Sequence, residues 1–321
     1  VSIGGDLSIA SNSLSSLEGL QGLQSIGGDL SITGAVLSSL AGLSSLRALG
    51  GDLALSTIPA LADEPILPSL TALRELRAEA LPSCPRLSAL EQADAISIVD
   101  CGAAADTLFP SLLTVEAELH VEPSPEVSWL SLSPALAAVG SLSITTDGML
   151  DLDGLDTLST VDDALTLGPS TGLTALPSFP ALSSVGGELS IEWNTELTDI
   201  SGLSALRSVG GGVALTHNRY LTGLSGLESL MEVGGLEISD LVRLSDLDAL
   251  SALEVVYGSL HIDRNSRLSR VDGLSQLGRI DGDLSIQDNP WLSTTDAEGL
   301  LTEIGSANIG GTVTISGNAA P

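Results

Sequence analysis

The chain contains no lysine. All eleven of its basic residues are arginine, set against 41 acids, for a formal charge of −30 over 321 residues. That balance disfavours general binding to nucleic acid or to an anionic membrane, because phosphate-rich partners are repelled. It favours solubility, a cationic partner, bound divalent cations or a salty habitat. Aromatic residues make up only 2%, so a chain that is 43% hydrophobic must build its core from aliphatic side chains. No apolar run approaches the ~18–20 residues that a membrane-spanning helix needs. Histidine occurs three times, at scattered positions (His120, His217 and His261), and no Gly-x-Ser-x-Gly elbow, phosphate loop or Cys/His metal cluster is present. These absences lead to the expectation of a protein that is not an enzyme and carries no cofactor.

What the chain does have is repetition. The octapeptide SIGGDLSI stands at Ser2–Ile9 and again, unchanged, at Ser25–Ile32. Aligned on its Leu, the pattern recurs at Leu7, Leu30, Leu53, Leu76, Ile96, Leu119, Leu142, Leu165, Leu189, Val213, Leu236, Leu260, Leu284 and Val313. Most steps are 23 or 24 residues; one is 20 and the last is 29. Periods of this size mark repeat architectures, in which each unit buries its apolar face only against its neighbours. Within each copy, apolar-polar-apolar alternation predicts a short half-buried strand. Between strands, apolar residues recur every third position (Leu14, Leu17, Leu20, Leu23, Ile26), a rhythm suited to extended or 3₁₀ pieces rather than to α-helix. The fold expected is a parallel β-solenoid of about fourteen coils of 23–24 residues, forming a single domain over residues 1–321. Residues 53–180 form an irregular middle segment, with twelve of the fourteen prolines.

Six of the seven asparagines, Asn12, Asn194, Asn218, Asn265, Asn289 and Asn318, fall five residues after the aligned position. A buried Asn at a coil turn can bond the backbone of its neighbours, so these predict a structural ladder. The combined pattern, GGDLSI…N…L..L.GL..L..I, resembles the receptor L-domain family and its leucine-rich-repeat-like relatives, among them receptor ectodomains and microbial surface proteins. The resemblance covers essentially the whole chain. It implies a right-handed β-solenoid at an extracellular or cell-surface location, engaged in recognition.

Both cysteines lie in the irregular segment. Cys84 precedes Leu87 as Asn194 precedes Leu197, and Cys101 lies five residues after Ile96, at the Asn position. Equivalent sites on adjacent coils would place them at disulfide distance, with two buried thiols as the alternative.

Two side-chain columns follow from the register. Asp6, Asp29, Asp52 and Glu75 line up just before the strand, where stacked carboxylates form either a solvated acidic face or a weak calcium site. Four residues after the aligned position stand Trp193, His217, Asp240, Arg264 and Asp288; seven after it stand Glu196, Tyr220, Arg243, Arg267 and Trp291. Aromatic and arginine side chains are common anchors of recognition surfaces. Trp193, His217, Tyr220, Arg243, Arg264, Arg267 and Trp291 are therefore the candidate binding residues, the alternative being bulky residues that merely cap coil corners. The function expected is recognition or adhesion, through a rigid surface offered to a protein or carbohydrate on a cell surface. The alternative is a structural subunit that self-associates through the edges or ends of its solenoid into a filament or envelope layer.

Overall fold

The computed structural model describes every residue except Ser11, Asn12, Asp63, Met149, Leu150 and Pro321. Two compact units divide it, Val1–Leu158 and Ser159–Pro321. In the first, strands β1 (Leu7–Ala10), β2 (Leu30–Thr33), β3 (Leu53–Ser56), β4 (Ala72–Leu81), β5 (Gln92–Cys101), β6 (Thr114–Glu122) and β7 (Ala138–Thr146) pair in parallel, each with the next. The aligned residues Leu7, Leu30, Leu53, Leu76, Ile96, Leu119 and Leu142 face one another in that order. The second unit repeats the arrangement with β8 (Leu165–Ser170), β9 (Leu189–Glu192), β10 (Ser208–Thr216), β11 (Glu232–Ser239), β12 (Leu260–Asp263), β13 (Leu284–Gln287) and β14 (Val313–Ser316). Its register joins Leu165, Leu189, Val213, Leu236, Leu260, Leu284 and Val313. The protein is a strand-dominated parallel β-solenoid.

The core is the aliphatic spine that the three-residue rhythm prescribes. Leu221, Leu224, Leu227, Leu230 and Val233 are all at most 2% exposed. Short 3₁₀ pieces at Ala41–Leu43, Ser201–Leu203, Asp248–Leu250 and Asp272–Leu274 carry this rhythm. Each buries its closing Leu, so a side chain every third residue returns to the same inner face. Both phenylalanines, Phe109 and Phe179, are fully buried, filling coils that carry no ladder asparagine.

The Gly-Gly corner is a place of close backbone approach. A Cβ at Gly50 would stand 2.3 Å from the carbonyl oxygen of Gly27 one coil earlier, so no side chain fits there. In the second unit the same corner forms a bulge between Val209 and Gly212, where the pairing of β10 with β11 shifts register.

The 29-residue step before Val313 contains an element outside the strand pattern, helix α1 (Thr294–Ile304). Ser293 caps it, its Oγ accepting the Asp296 N–H at 3.0 Å, and Ala297, Leu300 and Ile304 form its buried stripe.

Candidate recognition edge

Each ladder strand of the second unit ends in the same turn. Five residues after the aligned position sits Asn, fully buried at 194, 218, 265 and 289. The Nδ2 groups of Asn194, Asn218, Asn265, Asn289 and Asn318 donate to the carbonyls of Leu167, Ile191, Ile238, Ile262 and Ile286, each one coil back, at 2.6–2.9 Å. The Oδ1 atoms of Asn218, Asn265, Asn289 and Asn318 accept backbone N–H groups of Asn194, Leu241, Asn265 and Asn289 at 2.9–3.1 Å. One side chain thus satisfies a donor and an acceptor that the turn would otherwise bury unpaired. The sixth ladder position, Asn12, lies outside the described residues.

The residue just before the ladder position adopts a left-handed backbone, whether an Asn follows or, after Asp240, Leu241: Trp193, His217, Asp240, Arg264 and Asp288 all have φ between 55° and 59°. Glycine takes the equivalent place at Gly34 and Gly317, the choice that costs nothing there. A non-glycine residue in this region costs roughly 1–2 kcal/mol. Thr57, Ala80 and Asp100 take the same conformation in the first unit, while the second unit places three bulky side chains, Trp193, His217 and Arg264, and two aspartates there.

That strain points the side chains outward in a row. The Trp193 and His217 rings stack with centroids 3.8 Å apart and planes 11° from parallel. His217 Nε2 lies 3.7 Å from Asp240 Oδ2, and Arg264 donates to Asp240 through Nη2 at 2.8 Å and Nε at 3.1 Å. The same bonds push the Arg264 pKa further up. In the neighbouring row the Arg243 guanidinium lies 4.2 Å over the Tyr220 ring, a cation–π contact. Trp193 and Trp291 are 55% and 65% exposed, and Arg267 is exposed as well. The register places Trp193, His217 and Arg264 in one row and Tyr220, Arg243, Arg267 and Trp291 in the other; the contacts join Trp193 to His217 and Tyr220 to Arg243.

A groove of about 420 Å³ opens beside the first row, lined by Trp193, Thr195, His217, Arg219, Asp240 and Val242. Thr195, Arg219 and Val242 occupy the position between the two rows read from the sequence. Their signal was the arginine itself, exposed and next to a ladder Asn in a chain with few bases. Two buried side-chain atoms without a hydrogen-bond partner, Asn194 Oδ1 and His217 Nδ1, belong to this same corner.

The other candidate positions fall elsewhere. In the acidic column, Asp6 and Asp29 each accept the backbone N–H of the next acid, Asp29 and Asp52, at 3.0 and 2.8 Å. Arg74 grips Asp52 at 2.7 and 2.8 Å and Arg77 grips Glu75 at 2.6 and 2.9 Å. Asp6, Asp29 and Asp52 thus continue the coil-to-coil bonding, while Glu75 pairs within its own strand. Among the described residues no group of three or more His, Cys, Asp or Glu is arranged to hold a metal ion. The two cysteines are buried and present as thiols, without the disulfide expected from their spacing. Nor are their sites equivalent: Cys101 pairs in register with Leu81, while the Cys84 N–H donates to the Gly102 carbonyl at 2.8 Å. The 20-residue step is the reason, because a match counted back from Leu87 does not survive the strand pairing at Leu76.

One further cluster has the order of a nucleophile, base and carboxylate. Ser143 Oγ lies 3.1 Å from His120 Nδ1, and Glu122 Oε2 lies 3.5 Å from His120 Nε2. It sits on the face of paired strands β6 and β7, with Ser143 opposite His120 in register. Helices long and apolar enough to cross a membrane do not occur among the described residues. No protein-family model matches the chain, and no curated protein matches its sequence.

Proposed function

We propose that the protein is a non-enzymatic recognition module of the receptor L-domain type, acting outside the cell or on its surface, and that the corner rows of the second unit are its binding surface. The observation that carries this reading is the left-handed row. The left-handed corner recurs along the repeat, at Thr57, Ala80 and Asp100 as well, but here it carries three bulky residues, Trp193, His217 and Arg264, which present a stacked Trp193–His217 pair, a tethered Arg264 and a groove beside them. Strain of this kind tends to accumulate at functional sites. The ladder beneath fixes the rows, so little ordering is lost on binding. A solenoid suits such a role for the same reason, since its ladder spaces side chains at one strand interval, about 4.8 Å.

The test is a panel of surface polysaccharides and matrix proteins, probed with the wild-type chain and with Trp193→Ala/Tyr220→Ala. The variant gives up the Trp193–His217 stack and the Tyr220–Arg243 contact, so its fold is checked alongside by melting and by circular dichroism. Selective binding that drops at least about tenfold in the variant, equivalent to ~1.4 kcal/mol, supports the proposal. Binding that the variant leaves untouched removes it. Concentration-dependent growth into polymers in light scattering, with no panel binding, would instead favour an assembly role for the solenoid.

A further inference from the structure

Arginine is the scarce charge in this protein, and where it goes unpaired is informative. Arg74, Arg77, Arg86, Arg264, Arg270 and Arg279 each lie within ion-pair distance of a carboxylate. Arg47 and Arg207 are exposed without an ion pair among the described residues, but each stands singly ahead of a strand. Arg219, Arg243 and Arg267 also make no ion pair among the described residues, and all three are exposed. They stand 24 residues apart on three consecutive coils, beside the groove or in the row next to it. Over the four-residue corner segments 193–196, 217–220, 240–243, 264–267 and 288–291 there are four arginines against three acids, in a chain whose overall charge is −30. Glu192 and Asp263 flank these segments, so the edge as a whole is close to neutral on a strongly acidic protein. Within it Arg264 is tied to Asp240, and Arg219, Arg243 and Arg267 are the arginines without an ion pair among the described residues.

From this we infer that the edge binds an anionic carbohydrate chain, its rings stacked on the exposed aromatics and its carboxylate or sulfate groups held by Arg219, Arg243 and Arg267. The inference rests on the recognition reading above and names its ligand class. A guanidinium offers a fork of N–H donors that matches an oxyanion in a bidentate fashion. Arg243 is held over the Tyr220 ring and makes no ion pair among the described residues, so its N–H donors are available to an oxyanion. Trp193 supplies an apolar ring face with one side already covered by His217, the type of platform on which a pyranose stacks. The groove volume lies within the ~300–1,000 Å³ of small-ligand sites.

The experiment is isothermal titration of the full chain, near 0.15 M salt, with four probes: hexagalacturonate, a heparin-derived hexasaccharide, neutral cellohexaose and short polyglutamate. The expected result is that at least one anionic sugar binds about tenfold or more tighter than cellohexaose and polyglutamate. The two anionic sugars separate carboxylate from sulfate recognition. Arg219→Gln, Arg243→Gln and Arg267→Gln should each weaken that binding several-fold, and the triple variant should abolish it at an unchanged melting temperature. Equal binding of polyglutamate would overturn the sugar class, and retention by the triple variant would overturn the arginine assignment. Cellohexaose binding best, with loss in Trp193→Ala, would overturn the anionic ligand while leaving the recognition edge standing. Failure of all four probes overturns the inference, and the wider panel then decides the recognition reading separately.

Discussion

Asn265 shows how much one side chain contributes to this fold. Its Nδ2 satisfies the Ile238 carbonyl and its Oδ1 the Leu241 N–H, both in buried surroundings. Asn265→Ala strands both groups, at ~1–3 kcal/mol each, so urea denaturation should show a loss of about 2–4 kcal/mol. A loss within error would mean that the ladder is decorative. Trp193 makes the opposite case. Trp193→Gly relieves roughly 1–2 kcal/mol of left-handed strain and gives up roughly 0.5–1.5 kcal/mol of ring stacking. Stability should therefore change by less than about 1 kcal/mol, while binding at the edge disappears. A variant that is clearly destabilised and still binds would show that the tryptophan serves the fold and not a ligand.

At the scale of the strand and its corner, the acid before each strand has a role that its charge conceals. Asp283 accepts the Thr312 N–H at 2.6 Å and the Thr312 hydroxyl at 2.9 Å, which holds its carboxyl below the usual carboxylate range. A lowered native pKa contributes stability that is present above the unfolded value and is lost as pH falls through the native one. Wild type should therefore melt above Asp283→Ala at neutral pH, and the gap should close on acidification below about pH 4. A gap that stays constant down to about pH 2 would assign the effect to packing. This coil-to-coil bonding was legible only in part. Strand registers follow from the spacing of Leu7 through Val313, because a parallel ladder keeps residues of one repeat position opposite one another. The Asn positions were equally plain. The cysteines misled because the step between Leu76 and Ile96 is three residues short, and only strand hydrogen bonds show where the deletion falls. Helix α1 was missed although Ser293, Asp296 and the Ala297–Leu300–Ile304 stripe announce it, because a repeat rhythm imposed on the 29-residue step hides a local one. The groove residues Thr195, Arg219 and Val242 fell between two rows that were read separately.

Across the whole molecule the dominant fact is charge. Forty-one acids repel one another in either unit, and salt weakens that repulsion. The melting temperature should rise as salt goes from about 0.01 M to 0.15 M. A fall would show that the exposed arginine–carboxylate pairs outweigh the repulsion, which exposed pairs of ~0–1 kcal/mol each are not expected to do. Against this acidic background the second unit keeps one strip where tryptophan, tyrosine and unpaired arginine meet, above a ladder that holds it rigid. Hydrogen–deuterium exchange of the full chain, alone and saturated with hexagalacturonate or the heparin-derived hexasaccharide, tests that claim most directly. Added protection should be confined to peptides spanning 190–200, 214–224, 238–246 and 262–270. Protection appearing instead on the open strand face or in residues 1–158, or no change at saturation, would contradict it.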